Sequence, residues 1–227
     1  MQLRNPFRSL TPFEIVFWIF SLMAVALSFL LSGGDILSLI ASLIGVTALI
    51  FVAKGMVAGQ LLTVAFAVFY GIVSFHFRYY GEMITYLGMS APIAILATIS
   101  WIRHPYKDSA EVEVHRMRLR EWGVLALLAL LVTTAFYFIL RALGNASLAV
   151  STVSITTSFV AAYLSWKRSP FYAVAYAAND IVLIVLWVIA ALEDFSYFPM
   201  VMCFSVFFLQ DGYGFFSWMR MQKRQKS

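Results

Sequence analysis

The sequence predicts an all-α integral membrane protein of eight transmembrane helices: one extra helix, then two parallel three-helix repeats joined by a linker helix. Three observations carry that expectation. The 227 residues are 62% hydrophobic and only 12% charged, with a mean hydropathy of +0.86, far too apolar for a soluble domain. The apolar residues form continuous runs of about 17 to 23, enough at about 1.5 Å per residue to cross a hydrocarbon core, whereas outer-membrane barrels show short alternating segments. The second half of the chain also echoes the first at a constant offset of 117 residues.

In chain order the expected spans are 13–31, 36–53, 61–77, 84–102, 122–140, 146–165, 171–192 and 195–218. The first run is too long for the apolar region of a signal peptide and lacks a small-residue cleavage site, so it reads as a spanning helix. Gly33-Gly34-Asp35 ends the first span and Lys54-Gly55 the second, while Gly81 precedes the fourth and Gly144-Asn145 the sixth. Short connections make neighbours antiparallel. The longest loop, Arg103 to Glu121, carries mixed charge and is expected as a solvated cytoplasmic link.

With the N-terminus inside, fourteen of the sixteen Lys and Arg fall in inner segments, and only Arg78 and Arg141 remain outside. This positive-inside bias predicts a multi-pass protein of the inner (cytoplasmic) membrane with both termini cytoplasmic. The net charge of +5 is then a consequence of topology, which favours contact with anionic lipid and gives no support to a nucleic-acid partner.

The 117-residue shift places Ser100-Trp101-Ile102-Arg103 on Ser217-Trp218-Met219-Arg220, Tyr80 on Tyr197, Met83 on Met200 and Tyr70 on Trp187. The chain accordingly divides into a tail and extra helix (1–35), a first three-helix repeat (36–104), a loop and linker helix (105–145), and a second repeat with a basic tail (146–227). A single crossing helix between the repeats keeps them parallel. Small transporters use this arrangement, with substrate near the midplane between the repeats.

The strongest candidate site lies in Phe171 to Asp194, where Asn179-Asp180 interrupts an apolar run. An ionisable group at that depth costs roughly 3 kcal/mol on insertion scales and usually marks a pathway. Helical spacing puts Tyr172, Tyr176, Asn179, Leu183 and Trp187 on one stripe, with Asp180 one position around. Asn179 either meets a ligand or joins two helices by a hydrogen bond, and Asp180 either meets a ligand or is held by a neighbouring helix. In the last span, Gln210, Asp211 and Tyr213 are pocket or gate candidates, and Gly212 and Gly214 read as packing residues. Two intramembrane carboxyls and several aromatic rings, without an intramembrane Lys or Arg, suit a cation with a flat ring. The alternative is that one Asp carries a coupled proton.

The cluster belongs to one half only, because the shift maps Asn179, Asp180 and Asp211 onto Leu62, Thr63 and Ala94. Ser151, Thr152, Ser154, Thr156, Thr157 and Ser158 read as helix packing, with sugar-hydroxyl contact open for one or two. Tyr70, Ser74 and His76 read as packing or interfacial residues, and Glu82, Glu193 and Asp194 as solvated charge at the outer surface. His76, His104 and His115 lie too far apart for a metal site, Cys203 reads as core, and no cofactor is expected. Neither a phosphate loop nor a nucleophile elbow is present, so an enzyme is not expected.

The tract KRSPFYAVAYAANDIVLIVLW (Lys167 to Trp187), the terminal YGFFSW (Tyr213 to Trp218) with basic residues after it, and YGEM (Tyr80 to Met83) resemble the Pnu family of vitamin transporters over roughly spans two to eight. The resemblance implies a 3+1+3 fold similar to that of the SWEET sugar transporters. It also implies facilitated uptake of nicotinamide riboside, trapped inside by phosphorylation for NAD synthesis. The family's Trp-x-x-Trp-x-x-x-Asn pattern implies a site-lining role for Asn179, and its two Trp positions fall on Tyr172 and Ala175, of which only the first keeps a ring. Thiamine, riboflavin and deoxynucleosides, carried by relatives of the family, stay open as substrates. So do a proton-coupled carrier, a non-transporting membrane scaffold and a homo-oligomeric assembly.

Overall fold

The computed structural model describes residues 6–33, 35–76, 80–107, 109–144 and 148–226, so Gly34, Arg78 and Asn145, invoked above, lie outside the described residues. Eight long apolar helices are present among the described residues: α1 (Pro12–Ser32), α2 (Ile36–Ala53), α3 (Val57–His76), α4 (Tyr80–Arg103), α5 (Leu119–Ala142), α6 (Leu148–Trp166), α7 (Tyr172–Glu193) and α8 (Phe198–Arg224). Every expected span has its helix. α3 begins four residues earlier than expected and α8 runs on to Arg224, because spans placed by hydropathy stop where the helix leaves the apolar layer.

Local sequence accounts for the boundaries. Thr11 and Glu14 form a capping box at the start of α1: the Thr11 side chain accepts from the Glu14 N–H at 3.3 Å, and the Glu14 carboxylate accepts from the Thr11 N–H at 2.6 Å. Asp35 caps α2 by accepting from the Ser38 N–H at 3.0 Å. The turn into α3 demands a glycine, since a Cβ on Gly59 would sit 2.4 Å from the Val52 backbone nitrogen. Midway along α4, Tyr86–Ser90 form a π-helical turn, a local widening that often marks a functional segment.

The helices pack as two units. α2, α3 and α4 associate in one, α6, α7 and α8 in the other, with α5 against α6 and α1 against α2 and α8. The units also exchange contacts, α2 packing on α8 and α4 on α6. Two residue pairs separated by 117 positions touch each other. The Trp187 Nε1–H donates to the Tyr70 hydroxyl at 3.2 Å, and the Trp101 and Trp218 rings lie 5.3 Å apart. Each of the latter two indoles donates to the end of a helix in the other unit, Trp101 to the Ser165 carbonyl at 2.9 Å and Trp218 to the Val52 carbonyl at 2.8 Å.

The core divides between the two ends of the bundle. One cluster gathers Phe29, Tyr70, Tyr86, Trp187, Phe204 and Phe207, the other Trp101, Phe159, Tyr163, Tyr172 and Trp218. The second cluster lies at the end carrying Lys54, Arg103, Lys167 and Arg220, referred to below as the basic end. Large apolar side chains such as Leu30, Leu31, Leu130 and Leu192 are exposed around the perimeter, as a lipid-facing surface requires.

The long loop departs from the expected solvated link. Val112, only 1% exposed, donates its N–H to the Gly55 carbonyl at 2.9 Å and accepts from the Gln225 amide at 3.0 Å. Arg168 bonds the Glu113 carbonyl at 3.1 Å and the Ser100 hydroxyl at 2.8 Å, and its own carbonyl accepts from the His115 N–H at 3.0 Å. Burial pulls the Arg168 pKa below its ordinary value, while the nearby Glu113 carboxylate pulls it back up. The loop therefore binds the ends of α2, α4, α6 and α8 into one layer. Mixed charge concealed this, because the bonds are made largely by backbone groups that composition does not reveal.

Candidate functional site

A cavity of about 70 Å³ lies between the two core clusters, lined by six helices. α2 contributes Gly45, Ala48, Leu49 and Val52, and α3 contributes Gln60, Thr63, Phe66 and Ala67. The π-turn of α4 contributes Tyr86 and Ser90, and α6 contributes Ser158. The polar wall is built by Tyr176, Asn179 and Asp180 of α7 with Asp211 of α8, while Phe204 and Phe207 of α8 add aromatic faces. None of the lining residues is Lys or Arg.

Asn179 is held by α6. Its Oδ1 accepts from the hydroxyls of Thr157 at 2.8 Å, Ser158 at 3.0 Å and Ser154 at 3.5 Å. With the oxygen engaged there, the group Asn179 can offer a ligand is its amide N–H. Three of the six α6 hydroxyls thus orient the amide. A fourth, Thr156, bonds Thr133 of α5 at 2.7 Å.

Asp180 and Asp211 are both 3% exposed and share the polar wall of the cavity. Asp180 Oδ2 has no partner among the described residues, so the pair retains an accepting oxygen for a cation or an N–H. Gln60, also on the wall, donates to the Ser165 hydroxyl at 2.8 Å.

Of the expected site residues, Asn179, Tyr176, Asp180 and Asp211 line the cavity. The others sit elsewhere. Tyr172 is 1% exposed and packs edge-on against Trp218 at 5.0 Å, where Gly214 makes room for its hydroxyl. Trp187 lies toward the end opposite the basic one, beside a smaller cavity shared with Asp35, Ser38 and Tyr197. Tyr213 turns toward α1, donating to Glu14 at 2.6 Å, where Lys54 pairs with the same carboxylate at 3.2 Å. Gln210 is 1% exposed, and its side-chain amide has no partner among the described residues. Gln60, Tyr86, Phe66, Phe204 and Phe207 were not singled out from sequence. For Gln60 a signal existed, a polar side chain within an apolar span; for the rings, nothing separates them from the other aromatics of the chain.

A cavity enclosed by six of the long apolar helices, with two carboxyls and an amide on its wall, fits a membrane transporter. The chain belongs to the nicotinamide mononucleotide transporter family, whose model matches residues 35–220. Among curated proteins it is 24% identical over 226 residues to the nicotinamide riboside transporter PnuC of Neisseria mucosa, covering 97% of this chain and 86% of that protein. It is 22% identical over 215 residues to PnuC of Haemophilus influenzae, covering 94% and 92%. Among solved structures, the crystal structure of the vitamin B3 transporter PnuC superposes with a TM-score of 0.83 at 24% identity, covering 96% of this chain and 94% of that one. That likeness bears out the all-helical fold of eight spans.

Proposed function

We propose that this protein takes up nicotinamide riboside by facilitated diffusion across the inner membrane, with the basic end cytoplasmic and intracellular phosphorylation trapping the product for NAD synthesis. The observation that carries the reading is the charge of the cavity, in which Asp180 and Asp211 meet Asn179 and aromatic rings without any Lys or Arg. The riboside is a pyridinium cation, with a carboxamide that pairs with an amide and a flat ring that stacks on Tyr176 or Tyr86. The family description speaks of the mononucleotide and the two curated relatives of the riboside. A phosphate brings at least one further negative charge to two carboxyls, a like-charge encounter that favours the riboside. The two units α2–α4 and α6–α8 act in this reading as halves that expose the cavity alternately to each side.

Uptake of labelled nicotinamide riboside into proteoliposomes tests the proposal. Rapid uptake that is competed by unlabelled riboside and not by the mononucleotide is expected. No riboside uptake beside a working thiamine, riboflavin or deoxynucleoside signal overturns the substrate. The presence of two buried carboxyls, Asp180 and Asp211, on one cavity wall favours a second reading, a carrier that moves a proton with its substrate. Accumulation that is unchanged by an imposed pH gradient excludes it.

A further inference from the structure

Glu82 is the one expected surface charge that the structure removes from the surface. It is 5% exposed, and its Oε2 has no hydrogen-bond partner among the described residues. It stands on α4 one helical turn before Tyr86, on the same face of the helix. The Tyr70 and Tyr86 rings lie 4.3 Å apart, and Tyr86 lines the central cavity. Tyr86 also opens the π-helical turn, so the ring between Glu82 and the cavity is carried by the widened segment of its helix. Trp187 adds its hydrogen bond to the Tyr70 hydroxyl from the other unit. Along α4 from the end opposite the basic one, the order is therefore carboxyl, paired tyrosines, cavity.

A buried carboxyl oxygen without a partner is costly, and arrival of a cation supplies a partner for it. The geometry points to Glu82 as an entry station for organic cations. It receives a positively charged substrate outside the Tyr70–Tyr86 pair, before Tyr86 moves with the π-turn and admits the substrate to Asp180 and Asp211. The inference rests on the proposed uptake of a cationic nucleoside. It adds a binding position outside the cavity and an order of events.

A station that precedes the final site lowers the barrier for entry and exit alike and leaves the equilibrium affinity of that site untouched. Glu82→Gln is therefore expected to slow the initial rate of nicotinamide riboside uptake at subsaturating concentration by about tenfold, the size typical of a lost steering charge. The dissociation constant of the detergent-purified protein, measured by titration calorimetry, is expected to stay within about twofold. Glu82→Asp, which keeps the charge on a shorter stem, is expected to restore most of the rate, and Glu82→Met gives the same reading as Glu82→Gln should the latter not fold. An unchanged uptake rate overturns the inference, and so does an affinity that falls in parallel with the rate, which would make Glu82 part of the cavity or of its scaffold. Failure of the substrate assignment shows separately, as absence of riboside binding and uptake by the unmodified chain.

Discussion

Replacing Asn179 by Leu separates what this residue does for the fold from what it does for a ligand. Three α6 hydroxyls converge on its oxygen, at 2.8, 3.0 and 3.5 Å. Thr157 already shares its hydroxyl with the Val153 and Ser154 carbonyls at 3.0 Å, so it keeps partners without Asn179. Ser154 and Ser158 lose an acceptor but can turn to carbonyls one helical turn back, as Thr152 and Thr156 do at 2.7 and 2.9 Å. The cost to stability is therefore near that of one net hydrogen bond, about 1 kcal/mol. For a ligand the loss is larger, because the carboxamide oxygen that Asn179 would serve is left buried without a donor, which costs about 1–3 kcal/mol or roughly fivefold to 150-fold in affinity. Thermal shift of the purified protein with and without nicotinamide riboside reads both quantities. The melting temperature of the unliganded variant should fall slightly, and the ligand-induced shift should largely vanish. Ser158→Ala leaves the donor in place but loosens its orientation, so it should keep a reduced shift. A full ligand-induced shift in Asn179→Leu would refute the assignment of Asn179 as a ligand donor.

Asp211→Asn removes one of the two carboxyls on the cavity wall while keeping the shape of the side chain, so riboside affinity should drop by about thirtyfold, equivalent to about 2 kcal/mol, with stability unchanged or raised; calorimetry and melting curves check this. Gln210→Met removes a buried amide without partners and should leave melting unchanged or raise it by up to about 1–3 kcal/mol in stability, with uptake retained, whereas loss of uptake would assign Gln210 to a gate. Gly59→Ala puts a Cβ 2.4 Å from the Val52 nitrogen and should destabilise the protein by roughly 1–3 kcal/mol, read as a lower melting temperature or loss of folded protein on size exclusion. Arg168→Ala frees the Ser100 hydroxyl and the Glu113 carbonyl and should raise proteolysis of the 104–118 loop several-fold without changing riboside affinity.

The spans and the polar pair were legible because both follow from the cost of polar groups in lipid, which acts on each helix separately. What sequence could not supply was the register of one helix against another. The stripe Tyr172 to Trp187 is about 22 Å long at about 1.5 Å per residue, much longer than the cavity, so only its middle members Tyr176 and Asn179 can meet a ligand there. Tyr172 and Trp187 share that face but belong to the packed layers on either side. Ala175, at one of the family's two Trp positions, is likewise absent from the lining, and the ring on the wall is that of Tyr176. The α6 hydroxyls were visible as a run, yet their convergence on Asn179 depends on how α6 crosses α7. Glu82 was misplaced for a related reason: a charge at the start of a span is normally solvated, and only tertiary packing buries it.

The two ends of the bundle differ in what must break for the cavity to open. At the end opposite the basic one, the units meet through the hydrogen bond between Trp187 and Tyr70 and through ring contacts of Tyr70 with Phe204 and of Phe66 with Phe207. A neutral hydrogen bond of about 1 kcal/mol and a few aromatic contacts of similar size oppose separation there. At the basic end, Trp101 and Trp218 each donate across the boundary, as does Arg168 to Ser100, and the 104–118 loop adds bonds from Val112 to Gly55 and from Gln225 to Val112. Several of these groups are held at once, so opening there requires a concerted loss rather than rotation of one side chain. In the proposed transport cycle this makes the end beyond Tyr86 the easier to open and release at the basic end the slower step. The asymmetry follows from the chain itself, because each three-helix unit supplies one tryptophan of the pair while the 104–118 loop occurs once.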